Sequence, residues 1–95
     1  MSEQYYVYIM TNQHNTVLYT GMTGDLKRRA YQHRTGRGGG FTSRYNAGKL
    51  VYYEVTEDAS SAIAREKQIK AGSRQSKIDL VQGMNPEWLD LYDEL

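Results

Sequence analysis

Two short runs near the start of the chain are dense in aromatic and β-branched residues, Tyr5 to Met10 (YYVYIM) and Val17 to Thr20 (VLYT), while Thr11 to Thr16 between them is wholly polar. That pattern predicts a β-hairpin. Closing the loop symmetrically pairs Met10 with Val17 and sets Tyr8 opposite Tyr19, so both phenols share one face. The apolar period then changes. From Asp25 to Arg34 the inward positions are Leu26, Ala30 and residue 33, the spacing of an amphipathic helix, with Thr23 or Asp25 as N-cap and Gly36 as stop. Leu50 to Val55 (LVYYEV) reads as a third strand and Asp58 to Lys70 as a second helix closed by Gly72. Ser73 caps a third helix that runs to the region of Val81. Asn85-Pro86-Glu87 has cap, first-turn proline and first-turn acid in order, which predicts a short C-terminal helix. Thr35 to Gly48 holds five glycines and two arginines and predicts an exposed, mobile loop.

The sum is an α+β fold: a small three-stranded antiparallel sheet flanked by three helices plus a short C-terminal helix. With 95 residues and no repeat or linker, residues 1–95 are expected to form one domain. The chain has no cysteine, which excludes a disulfide framework, a thiolate zinc site and a thiol nucleophile. No segment approaches the ~18 consecutive apolar residues of a membrane span, and Met1-Ser2-Glu3-Gln4-Tyr5 lacks the order of a secretory signal. A cytoplasmic protein with no membrane partner is expected.

The net charge of +1 conceals a strong asymmetry. All 12 Lys and Arg lie between Lys27 and Lys77, opposed there by Glu54, Glu57, Asp58 and Glu66, which leaves +8 locally, and every charged residue after Lys77 is acidic. A basic middle favours a polyanionic partner such as nucleic acid. Nine tyrosines against one Phe and one Trp mean that most aromatic rings carry a hydroxyl able to donate, accept or ionise.

Three polar residues interrupt the apolar stripes. On the first helix Arg29 and His33 lie four apart on the inward face, although Lys27, Arg28 and Arg34 already serve the outward one. On the second helix the stripe Ala62, Ile63, residue 66 and Ile69 contains Glu66. An unpaired buried carboxylate costs several kcal/mol, so Glu66 needs a salt bridge with Arg29 or Lys70, a path to the rim, or a ligand.

Together, Tyr6-Val7-Tyr8, then Tyr19-Thr20-Gly21, Arg29 eight residues after the glycine, His33 four later and Glu66 on the next helix resemble the GIY-YIG nuclease superfamily, in particular its small stand-alone bacterial members. The similarity covers nearly the whole chain. Tyr6 stands where the motif has Gly and Thr20 where it has Ile, both scaffold positions. The resemblance implies a catalytic group of Tyr8, Tyr19, Arg29 and His33, with Gly21 shaping the turn into the helix. It further implies a Mg²⁺ (or Mn²⁺) ion held by Glu66 and waters, and Tyr19 as base for the attacking water. The implied reaction is hydrolysis of phosphodiester bonds in DNA, or in RNA, with repair or recombination as the setting for branched or damaged DNA. Asn85 is a further candidate from that pattern and reads equally well as a helix cap. Larger relatives attach a targeting or DNA-binding domain, so a separate protein partner is an expectation too.

Arg37 and Arg44 flank Gly38-Gly39-Gly40, with Phe41 and Tyr45 nearby. With Lys27 they are candidates for the phosphate backbone, and the rings for base stacking. The phosphate-binding pattern GxxxxGK[ST] is missing. Two other classes stay open: a nucleic-acid-binding module without cleavage, and a protein-interaction domain in which Glu66 simply pairs with Arg29.

Overall fold

The structure, a computed structural model, describes residues 4–95. Strands β1 (Tyr5–Thr11), β2 (Leu18–Thr23) and β3 (Lys49–Thr56) form one antiparallel sheet in the order β2-β1-β3. Four helices follow in chain order as α1 (Leu26–Arg34), α2 (Gly40–Arg44), α3 (Ala59–Ala71) and α4 (Arg74–Met84), and a 3-10 turn covers Leu91–Glu94. Among the described residues no helix is long and apolar enough to cross a membrane.

The central strand β1 is covered on both sides, which is why Val7 to Thr11 are all buried instead of alternating. Val7 and Ile9 join Val51, Tyr52, Ala62, Ile69 and Val81 in the core under α3 and α4. Tyr8 and Met10 point the other way, into a second core with Leu26 and Ala30 of α1, Ala47, Leu50 and Leu91. An irregularity in the β1–β3 pairing after Ile9 skips Val51, so Val51 and Tyr52 enter the same core although adjacent in sequence. The acidic C-terminal segment closes the α1 face: Asp90 takes Arg34 at 3.2 Å and accepts the Leu50 N–H at 3.2 Å, while Leu91 buries beside them.

The structure corrects four expectations. In the hairpin, Met10 faces Tyr19 and Tyr8 faces Gly21, two residues away from the symmetric pairing. Asn12 sets this closure: its side chain accepts the Thr16 N–H at 2.8 Å and donates to the Thr16 hydroxyl, and Asn15 takes a left-handed φ of 58°. A slip of two conserves the face of every side chain, so Tyr8 and Tyr19 remain on one side. Second, the stretch 35–48 is a folded segment built on α2, with Thr42 and Ala47 buried. Third, no helix starts at Asn85; that residue is the C-cap of α4, and the terminal helical turn begins at Leu91. Fourth, Ile63 lies 42% exposed, leaving Ala62 and Ile69 to anchor α3.

Candidate active site

Helix α1 is capped by Asp25, whose side chain accepts the Arg28 N–H, and ends at Thr35 with Gly36 left-handed at φ 75°. Those stops fix which face turns inward. Leu26 and Ala30 pack on the sheet, and one turn beyond them His33 is buried at 2% exposure directly under Tyr8. The Tyr8 hydroxyl and His33 Nε2 lie 3.0 Å apart. Tyr19 is half-buried beside both, with ring centroids 6.4 Å from Tyr8 and 5.5 Å from His33. The structure therefore brings three of the four expected catalytic side chains into ring contact, from two strands and a helix.

Arg29, also half-buried, donates to Gln32 at 3.0 Å, and its positive charge reaches both Tyr8 and His33. Burial pushes the Tyr8 phenol up to about 12, with Arg29 pulling against it and the charges of Tyr19 and Glu66 adding to the rise. Burial, then Arg29, lowers His33 to about 4. At neutral pH the pair is a phenol and an uncharged imidazole.

Glu66 projects from α3, which packs on the opposite core but makes its most extensive strand contact with the edge strand β2. Its side chain is 19% exposed and pairs with Lys70 Nζ at 3.1 Å, the bridge anticipated as one way of satisfying it. Its charge nevertheless acts on the Tyr8 hydroxyl. One half-buried carboxylate suits a hard divalent cation that keeps most of its waters. Among the described residues no three His, Asp or Glu side chains gather into a cage.

Gly21 does not shape a turn. It sits inside β2 opposite Tyr8, and a Cβ there would stand 2.5 Å from the Tyr8 hydroxyl oxygen and 3.1 Å from the Tyr19 ring. Its role is to leave room for both phenols. Asn85 is a joint of the fold: its amide donates to the carbonyls of Val51 at 3.1 Å and Leu89 at 2.8 Å and accepts the Leu89 N–H at 3.0 Å. Arg37 and Arg44 are exposed, Arg44 lying 5.6 Å over the Tyr45 ring. Lys27 lines a different cleft, of about 430 Å³, whose walls include Tyr6, Asp25 and Glu94.

Sequence reasoning singled out Phe41 and Tyr45 as exposed rings but missed the helix α2 and its buried Thr42. Phe41 stacks on Tyr19 at 5.9 Å and touches Tyr45 at 4.6 Å, so an aromatic ladder leads from the phenols to the surface. Thr42 lies buried with its hydroxyl oxygen 2.8 Å from His33 Nδ1. The one sequence signal was a Thr among glycines, which reads as loop composition.

Comparison with known proteins identifies the family and the fold. The profile of the GIY-YIG catalytic domain matches residues 4–79. A UPF0213 protein of Haloquadratum walsbyi is 35% identical over 82 residues, covering 86% of this chain and 91% of the relative. A UPF0213 protein of Syntrophus aciditrophicus is 39% identical over 83 residues, covering 86% and 93%. The solution structure of a UPF0213 protein from Bacillus halodurans superposes with a TM-score of 0.58 at 29% identity, covering 92% of both chains. Fold, motif residues and relatives converge, and the chain belongs to the GIY-YIG family of nuclease domains.

Proposed function

We propose that this protein, as a single domain over residues 1–95, is a Mg²⁺-dependent endonuclease that hydrolyses phosphodiester bonds in DNA. The observation that carries the reading is the meeting of Tyr8, Tyr19 and His33 beside an arginine whose guanidinium, among the described residues, forms no ion pair. A planar guanidinium left without a carboxylate suits the non-bridging oxygens of a phosphate. Arg29 then binds the scissile phosphate and meets the charge that builds on it. Tyr19, the less buried phenol, faces the attacking water and, acting as its phenolate, takes its proton. Tyr8, anchored on His33, holds the opposite wall and keeps Tyr19 and Arg29 in place. Bound at Glu66, a divalent cation supplies positive charge for the phosphate and the departing oxygen.

The Glu66–Lys70 ion pair favours a second reading, a nucleic-acid-binding module without cleavage, because it satisfies the carboxylate without a metal. One experiment separates the two. Purified protein incubated with single-stranded, duplex and branched DNA is expected to cut at least one of them in Mg²⁺ or Mn²⁺ and none in EDTA, and Glu66→Ala is expected to abolish cutting with the fold intact. Undiminished cutting by Glu66→Ala removes the metal assignment. Binding without product in any metal, with affinity falling steeply with salt, establishes the second reading.

A further inference from the structure

His33 has a second neighbour, and it determines where the site's protons point. Thr42 sits across the imidazole from Tyr8, with its hydroxyl oxygen 2.8 Å from Nδ1 and 3.1 Å from the Gly39 carbonyl. We propose that Thr42, backed by that carbonyl, is a positioning residue that fixes His33 as the Nδ1–H tautomer and so commits the Tyr8 hydroxyl proton to His33 Nε2. Its importance for cleavage rests on the nuclease reading above; the tautomer does not.

The assignment rests on the second partner of the Thr42 hydroxyl, the Gly39 carbonyl. A carbonyl only accepts, and a threonine hydroxyl has one proton. With that proton given to the Gly39 carbonyl, the Thr42 oxygen faces Nδ1 with its lone pairs and Nδ1 carries the hydrogen. A neutral imidazole has only one N–H, so Nε2 offers a lone pair and the Tyr8 hydroxyl at 3.0 Å must donate to it. Tyr8, His33 and Thr42 are each at most 2% exposed, so bulk water does not compete for the two bonds at the imidazole. Burial also keeps the imidazole uncharged, with His33 lowered to about 4.

Two further features fit. Gly38 must lack a side chain: a Cβ there would overlap His33 Nδ1 and stand 2.9 Å from the Thr42 oxygen. The three glycines before Phe41 therefore include one demanded by close approach to the imidazole. With its proton committed to Nε2, the Tyr8 oxygen turns its lone pairs toward the positive charge of Arg29, whose effect on that phenol is stabilising to the anion. The reverse tautomer would present Nε2–H to Tyr8 and turn the phenol proton back into the site.

The test is ¹⁵N NMR of the His33 side chain near neutral pH in the full chain. The expected spectrum has a protonated, pyrrole-type Nδ1 and an unprotonated, pyridine-type Nε2. An Nε2–H form, or an even mixture, overturns the proposal. Thr42→Val keeps the shape and removes the hydroxyl. It is expected to shift the ring toward Nε2–H and to lower kcat at least about tenfold with KM little changed, and Thr42→Ser is expected to restore both. Persistence of the Nδ1–H form in Thr42→Val overturns the role of Thr42. If Thr42→Val does not fold, the wild-type and Thr42→Ser spectra still decide the tautomer. A wild-type protein that shows the tautomer but cuts no DNA defeats the nuclease reading and leaves the hydrogen-bond chain standing.

Discussion

Tyr8 and Tyr52 lie on opposite faces of one sheet, and burial drives both phenols to about 12. Their surroundings differ in one respect. The Tyr52 hydroxyl donates to Glu54, and the same carboxylate takes Arg65 Nε at 3.0 Å and Nη2 at 2.8 Å, a forked pairing that ties β3 to α3. Burial works against the Glu54 charge, but the hydrogen bonds from Arg65 and Tyr52 outweigh it and hold its pKa below the usual range. Each charge in that cluster is answered inside the protein. Around Tyr8 the imidazole is neutral, Arg29 pairs with no carboxylate among the described residues, and Glu66 turns to Lys70. A closed polar cluster holds a fold together, whereas one with charge left over has capacity for a ligand.

The largest expected effect divides activity from stability between the two clusters. Arg29→Ala and Tyr19→Phe are expected to lower the rate of DNA cleavage about a hundredfold or more while changing the melting transition little. Glu54→Gln is expected to cost about 1–3 kcal/mol of stability by breaking a half-buried forked pair and to leave kcat near the wild-type value. Cleavage rates beside denaturant midpoints check both halves. Loss of cleavage in a well-folded Glu54→Gln as deep as in Arg29→Ala would erase the distinction.

Acid is expected to reach the two clusters in sequence. The ordinary histidine value is 6.5 and the folded value for His33 about 4, so between these limits the unfolded chain takes up a proton that the folded chain refuses. The contribution of His33 is complete above pH 6.5 and disappears as pH falls to about 4, a loss of up to about 3 kcal/mol. Glu54 has a lowered pKa, so its contribution is complete above its unfolded value of 4.5 and fades only below it. Denaturant midpoints measured from pH 7 down to pH 4 are expected to fall in the wild type and to be flatter in His33→Gln. Equal slopes would place the acid sensitivity elsewhere.

Much of the Tyr8 cluster was legible in the sequence because it depends on parity and period. Alternation along a strand puts Tyr8 on a fixed side whatever the exact pairing, which is why the hairpin register differed by two residues and the phenols still met. A helical repeat puts Arg29 and His33 on the face of Ala30 in the same way. What depends on individual side-chain geometry was not legible. The register was set by the Asn12 side chain, Gly21 proved to be a strand glycine making room for rings, and the buried Thr42 lay in a stretch whose glycines signal a loop. At Asn85, cap chemistry was recognised, but the carbonyl of Val51 on a neighbouring strand decided which helix it ends.

The smallest effect concerns the rim. Arg37 and Arg44 are exposed in the segment that stacks Phe41 on Tyr19, whereas Lys27 shares its cleft with Asp25 and Glu94. Phosphate approaching Lys27 meets the two carboxylates that share its cleft. Arg37→Gln and Arg44→Gln are each expected to weaken DNA binding similarly for all sequences and to reduce the slope of log affinity against log salt by about 1. Lys27→Gln is expected to leave the slope nearly unchanged. Binding titrations in Ca²⁺ or EDTA at several salt concentrations measure all three. A larger change from Lys27 than from the arginines would move the DNA path to the N-terminal end of α1, away from the aromatic ladder and toward the opposite end of the helix from His33.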